Sequence, residues 1–128
     1  MEVKTSELID DALNEAVARC EGREIHRSKS GRWMTANYGE FNPRHGAPWY
    51  SPSTHWAQGG PIIEREEISL CREFSSGRME WAAWTPAPIR DDAEAFGYGP
   101  TPLIAAMRCY VASKLGDEIE VPNELTGE

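Results

Sequence analysis

The chain has 128 residues, of which 40% are hydrophobic and 27% are charged, and its formal net charge is -8. This length and composition predict one globular domain over residues 1–128 that buries a core without metal or disulfide support. The negative charge disfavours broad nucleic-acid binding through phosphate neutralisation. No apolar run approaches the roughly 20 residues that span a bilayer, and the first residues resemble neither a signal nor a transit peptide, so we expect a cytoplasmic protein with no membrane partner.

The first predicted helix has Thr5 or Ser6 as its cap and Gly22 after its last turn. Its apolar residues recur at helical spacing, whereas Asn14 and its acidic neighbours fall on the opposite, solvated face. Between residues 23 and 50 the periodicity fades, and Gly, Pro and Asn become common. We expect a long connection there, with at most a short strand or hairpin.

Residues 49–64 concentrate aromatic side chains and glycines in one short stretch. Pro52 and Pro61 bracket a segment that predicts a loop with one or two helical turns, broken at its glycine pair. Two interpretations stay open. In the first, Trp56 packs the loop onto the core; in the second, the aromatic side chains stack on a planar ligand while the glycine amides approach it. The candidate binding residues of this segment are Trp49, Tyr50, Trp56, Gln58, Gly59 and Gly60.

A pair of antiparallel strands is predicted next. Apolar and polar residues alternate over residues 68–74 and again over residues 79–83, and the Ser-Ser-Gly between them is typical of a turn. Two prolines then end the second strand, because proline cannot donate a hydrogen bond to a sheet. We expect residues 89–98 to form a polar connection.

The stretch from residue 97 to residue 116 predicts the longest helix, around which the rest of the chain is organised. Thr101 can cap it, Pro102 suits the first helical position, and Gly116 suits the residue after the last turn. Its apolar stripe is broad and its opposite side is small rather than charged. We therefore expect other elements to pack on two sides of this helix.

Arg108 is the only charged residue in the interior of that helix. We predict that it is partly buried and paired with Glu64 or Glu66, because an isolated buried charge is too costly. The free amides and positive end of the helix N-terminus could hold an anionic group. Alternatively, the threonine cap already satisfies the amides and nothing binds there. The candidate binding residues at this end are Gly99, Thr101 and Arg108.

The C-terminal residues are acidic, with no Lys or Arg from about residue 117 onward. Residues 118–121 alternate like a short edge strand that ends at a proline, and the remainder is typical of a solvated tail. As a whole, the sequence predicts an α+β fold in which two main helices pack on a small antiparallel β-sheet in a single domain. The small side of the longest helix, with Ala105 and Ala112, could also accept a second copy, so a homodimer remains an open expectation.

Catalytic, cofactor-binding and metal-binding motifs are not recognisable in the sequence. Phosphate-loop, dinucleotide-binding, zinc-protease and nucleophile-elbow patterns are all missing. Cys20, Cys71 and Cys109 are odd in number, widely spaced and set in apolar patterns, which predicts free thiols rather than disulfides or a zinc site. We therefore assign no catalytic residue, metal or cofactor, and we lean toward a protein that is not an enzyme.

Three segments together resemble the phage NinX family: residues 3–8, 50–64 and 99–108, which read VKTSEL, YSPSTHWAQGGPIIE and GPTPLIAAMR. The resemblance extends over nearly the whole chain. It implies a small accessory protein from the nin region of lambdoid phages and prophages. It implies no enzymatic activity and no catalytic residue.

Two functions stay open at this point. Five tryptophans in so small a chain favour a binding module that acts on a host or phage protein, because aromatic anchors dominate interface energetics. The alternative is a protein that binds an anionic or nucleotide-like small molecule. Its ligand would lie between the loop at residues 56–60 and the helix N-terminus at Thr101.

Overall fold

A computed structural model describes residues 1–23, 25–27, 33–35, 50–75, 77–86 and 95–122. Within them the chain forms three α-helices, seven strands and one 3-10 turn. In chain order these are β1 (Glu2–Lys4), the 3-10 turn (Thr5–Glu7), α1 (Asp10–Cys20), β2 (Ile25–Arg27), β3 (Trp33–Thr35), α2 (Trp56–Arg65), β4 (Ser69–Ser75), β5 (Arg78–Trp84), β6 (Phe96–Gly99), α3 (Pro102–Leu115) and β7 (Glu118–Glu120).

Helix α3 has the ends that the sequence predicts. The Thr101 hydroxyl oxygen accepts a hydrogen bond from the amide of Ile104 at 3.1 Å, Pro102 is the first helical residue, and Gly116 follows the last turn with a φ of 90°. The helix contacts α1 and α2 on one side and the strands β5 and β6 on the other. The expected packing on two sides is confirmed, and the core is built around this helix.

The main sheet has three antiparallel strands in the order β4, β5, β6. The predicted strand pair is confirmed as β4 and β5, but β6 lies in the segment that was expected to be a polar connection. That expectation failed because Gly97 and Gly99 give no apolar alternation, although they are what lets β6 lie against α3. A Cβ on Gly97 would lie 2.3 Å from the carbonyl oxygen of Ala105. Ala105 is thus fully buried under β6 and is not part of a surface for a second copy.

The two ends of the described chain meet in a second sheet. Strand β7, predicted from its alternation, pairs with β1, which local sequence did not predict. The Thr5 hydroxyl donates to the carbonyl oxygen of Gly116 at 2.6 Å, so this residue closes the sheet and does not cap a helix. Helix α1 accordingly begins at Asp10, later than expected.

A short hairpin of β2 and β3 forms a third sheet within residues 23–50, in line with the expected short hairpin. The α+β single-domain prediction is confirmed, with α2 as a helix beyond the two main ones. All three cysteines are free thiols, as predicted. Burial raises the pKa of the Cys109 thiol to about 12, which keeps it protonated and unreactive. Among the described residues, no helix is long and apolar enough to cross a membrane.

Candidate functional site

Helix α2 occupies the stretch that was predicted to be a loop with one or two helical turns. It runs without a break from Trp56 to Arg65, through both glycines and Pro61, so the expected break at the glycine pair is wrong. The reason lies in packing. A Cβ on Gly59 would lie 2.4 Å from the carbonyl oxygen of Pro52 and 2.6 Å from Cδ2 of Leu103. Gly59 is therefore small so that α2 can lie against the preceding turn and the first turn of α3.

The turn before α2 is fastened to α1 by a network of polar side chains. Asn14 donates from Nδ2 to Oγ of Ser51 at 3.1 Å, and its Oδ1 accepts from the amide and the hydroxyl of Ser53 at 3.1 and 2.8 Å. The side-chain oxygen Oε1 of Gln58 accepts a hydrogen bond from the backbone amide of Ser51. Asn14 is 3% exposed, so its expected place on the solvated face of α1 is wrong. The polarity of Asn14 alone could not indicate that its side chain forms hydrogen bonds with another segment of the chain.

The aromatic residues of this segment have different surroundings. Tyr50 is buried in the core, whereas Trp56 is 54% exposed, so Trp56 does not plug the segment onto the core as one interpretation required. Gly60 has open space around it, with Cε3 of Trp56 at 3.9 Å from an added Cβ. Trp49 lies outside the described residues. A role of these residues in ligand binding stays a prediction.

The start of α3 is the other predicted half of the ligand site. Gly59 and Leu103 are in contact, so the structure does bring α2 and this helix end together. Thr101 is exposed, and its hydroxyl is used as the helix cap. Gly99 is buried, and a Cβ there would lie 2.8 Å from Cγ2 of Ile104. Close packing within the chain thus explains Gly59 and Gly99, but not Gly60.

Arg108 connects the N-terminal segment to the main sheet. Its Nε donates to the carbonyl oxygen of Leu8 and its NH1 donates to that of Tyr98, both at 2.7 Å. The expected partial burial is confirmed, but the expected partner, Glu64 or Glu66, is wrong. Partial burial removes water from the guanidinium and lowers its pKa. The two carbonyl oxygens replace that water, so the charge stays bonded without a carboxylate.

An ion-pair cluster ties together the C-terminal ends of the three helices. Arg65 donates to both carboxylate oxygens of Glu21, at 3.2 and 2.6 Å, and to Glu66 at 2.9 Å. Tyr110 donates to Glu21, and Lys114 lies 3.2 Å from Glu66. Burial alone raises the pKa of each carboxyl, but hydrogen bonds from these donors outweigh it and hold both pKa values below their ordinary range. The cluster therefore joins the three helix ends through charged hydrogen bonds, which is a structural role.

Among the described residues, the most exposed of the large apolar side chains belongs to the hairpin of β4 and β5. Phe74 is 71% exposed and stands directly opposite Met79, which is 47% exposed. Along the same face of the hairpin, Arg72 stands opposite Trp81, with its guanidinium carbon 6.0 Å from the centre of a Trp81 ring. We call these four residues the hairpin surface. They form two adjacent cross-strand pairs, one apolar and one cation–π.

Strand length explains why the hairpin surface is open to solvent. β6 ends at Gly99, which pairs with Trp81, so residues 78–80 of β5 extend past the end of β6. The apolar face that α3 covers near Ala83 continues onto Phe74 and Met79. Local alternation predicted the strands but could not indicate where the covering helix begins.

The other face of the sheet differs in charge. Phe96 and Tyr98 are exposed there, at 52% and 44%, but the carboxylates Glu73 and Glu80 stand opposite each other at the hairpin end. Like charges in this position repel unless a cation joins them. At the end of the hairpin, the exposed apolar side chains therefore lie on the side that continues the core.

Among the described residues, no group of His, Cys, Asp and Glu side chains is arranged to hold a metal ion. A search of curated proteins found no match. The family described as Bacteriophage P22, NinX matches residues 4–114. The matched range includes α1, α2 and all of α3 but its last residue. It also includes strands β2 to β6 and the last residue of β1. The chain therefore belongs to the phage P22 NinX family, as its sequence resemblance predicted.

Proposed function

We propose that this phage protein is a non-catalytic binding module that attaches to a host or phage protein in the cytoplasm of the host cell. The observation that carries the proposal is the hairpin surface, with Phe74 exposed to 71% beside Met79. Aromatic residues, Met and Arg are the residue types enriched in protein interfaces. The hairpin surface consists of those types alone.

The energetics favour this surface as an anchor. Fully burying a side chain of the size of Phe74 or Met79 contributes about 1.5–3 kcal/mol. Trp81 packs against the core, and Arg72 lies over its ring, so half of the surface is already held in place before a partner arrives. Binding then costs little side-chain entropy at these positions.

The small-ligand function remains an alternative without a feature that favours it. Gln58 and Gly59 are engaged inside the chain, and Thr101 caps α3. No catalytic residue is proposed.

The test uses the full-length tagged chain expressed in host cells that carry the phage. We expect one stoichiometric partner in a pull-down that Phe74→Ala combined with Met79→Ala removes. Trp56→Ala is the matched control, because it removes an exposed aromatic residue from another surface. Hydrogen exchange on the purified complex should show protection of β4 and β5.

Either of two results would contradict the proposal. One is a partner that the double variant retains at full yield. The other is a partner that is lost with Trp56→Ala but kept by the double variant. Circular dichroism of each variant shows that a lost partner does not reflect an unfolded protein.

A further inference from the structure

We infer that the outer edge of β4 binds an extended segment of the partner as an additional antiparallel strand. In this segment, apolar residues stand opposite Leu70 and Phe74, an acidic residue stands opposite Arg72, and a basic residue stands opposite Glu73. This inference rests on the proposed function. It specifies how the partner is held and which sequence pattern it presents.

Within the described residues, strand β4 is an edge strand of the main sheet. Within the described part of the chain it pairs with β5 on one side only, over seven residues. In an antiparallel pair, alternate residues direct their N–H and C=O groups away from the partner strand. Exposed backbone groups of this kind are a template for a further strand. Arg72, Glu73 and Phe74 are all exposed at this edge.

The opposite edge of the sheet is already in use. The carbonyl oxygen of Tyr98 in β6 accepts a hydrogen bond from Arg108. Gly97 of β6 lies so close to α3 that an added Cβ would be 2.5 Å from the amide nitrogen of Cys109. As far as the chain is described, β4 is therefore unpaired on its outer side, whereas β6 is engaged with α3.

The side chains of β4 define what the incoming strand must carry. On the side that continues the core they are Leu70, Arg72 and Phe74, in that order, and on the other side Cys71 and Glu73. Directly opposed side chains in a sheet attract when they are both apolar or oppositely charged, and repel when they carry like charges. The incoming strand should therefore carry an apolar, an acidic and an apolar residue on the side that continues the core. On its other side it should carry a basic residue.

A second copy of the chain fits this edge less well than such a segment. When two β4 strands pair antiparallel with α3 of both copies on one side of the sheet, the two central registers put Arg72 opposite Arg72 or Glu73 opposite Glu73. The register that joins Arg72 to Glu73 of a second copy puts the two α3 helices on opposite sides of the sheet, and it sets Phe74 opposite Cys71. Each of these three registers loses either the charge pairs or the apolar row.

The test measures binding of a short synthetic peptide to the full-length chain by calorimetry. The peptide carries the run valine, lysine, glutamate, threonine, valine, which in antiparallel orientation places these residues opposite Phe74, Glu73, Arg72, Cys71 and Leu70. The control peptide exchanges the lysine and the glutamate. We expect about tenfold weaker binding of the control, because two attractive cross-strand pairs become repulsive.

A charge-exchanged chain gives the reciprocal test. Arg72→Glu combined with Glu73→Arg keeps the net charge and should prefer the control peptide by a similar factor. Methylation of alternate peptide nitrogens should abolish binding for one set of positions and leave it for the other, since only one set faces β4. Sedimentation of the chain alone should show no self-association at this edge.

Any of three results would overturn the inference. They are equal affinity for the two peptides, loss of binding with both sets of methylated peptides, and a dimer that the charge exchange abolishes. The proposed function fails separately. A partner that depends on Phe74 and Met79 but is unaffected by the charge exchange would leave the hairpin surface as a docking site while removing the strand pairing. A partner that ignores all of these changes would remove both.

Discussion

Replacing Gly59 and Gly60 with alanine, one at a time, should change stability by clearly different amounts. The two glycines are neighbours in α2, so the intrinsic gain of about 0.5–1 kcal/mol for alanine over glycine in a helix applies to both. At Gly60 no packing contact opposes that gain, because the nearest atom apart from the neighbouring residues and the helix backbone lies 3.9 Å from the new Cβ. A Cβ on the residue before Pro61, however, disfavours the helical backbone and offsets the gain. Gly60→Ala should therefore leave stability nearly unchanged.

At Gly59 the new Cβ meets atoms that cannot easily move. The carbonyl oxygen of Pro52, at 2.4 Å, must retreat by more than half an ångström to reach even 3.0 Å. The adjacent Ser53 is held to Asn14 by two hydrogen bonds, and Leu103 is buried. Overpacking of this kind costs about 1–3 kcal/mol. We expect a net loss of about 1–2 kcal/mol for Gly59→Ala, once the helix gain is subtracted.

Urea unfolding followed by far-UV circular dichroism measures both free energies. Tryptophan fluorescence is less suitable, since Trp56 adjoins Gly60. The expected difference in the free energy of unfolding between the two variants is about 1–2 kcal/mol. If both alanines stabilise the protein, or both destabilise it equally, the packing of α2 against Pro52 and Leu103 is refuted.

Two further predictions concern charged groups. Arg108→Met should lower the free energy of unfolding by about 1–3 kcal/mol, because two backbone carbonyl oxygens lose a charged donor; an unchanged urea midpoint would show that water replaces the guanidinium without cost. The folded protein holds the pKa values of Glu21 and Glu66 below the ordinary carboxyl value of 4.5, so their contribution is complete above that value and is lost as the pH falls through the lowered ones. Urea midpoints measured from neutral to acidic pH should decline in this window, and Arg65→Gln should flatten the decline; a decline of equal size in Arg65→Gln would contradict the assignment.

The features that the sequence predicted correctly depend on residues close together in the chain. The ends of α3 follow from Thr101, Pro102 and Gly116, each of which acts within its own turn. The β4–β5 hairpin follows from alternation and from Gly77, whose φ of 81° suits a turn. These signals need no knowledge of the rest of the fold.

The features that were missed depend on contacts between distant parts of the chain. Strand β1 pairs with β7 across more than a hundred residues, and no local pattern indicates its partner. Gly59 resembles a helix breaker in sequence, but its place between Pro52 and Leu103 makes it part of a helix. The sequence showed that the residue is small, and only the fold shows what lies beside it.

The same limit applies to the surface on which the binding function is proposed. Close backbone approach was correctly inferred from the glycines near Trp56, but α2 and α3 approach each other there, with no ligand required. Phe74 and Met79 carry the ordinary alternation of a core-facing strand, so their sequence predicts burial. They are exposed because β6 ends opposite Trp81 and α3 starts just beyond it. Sequence periodicity cannot indicate a surface that is exposed because one strand extends past the end of its neighbour. The proposed binding function depends on such a surface, formed at Phe74 and Met79.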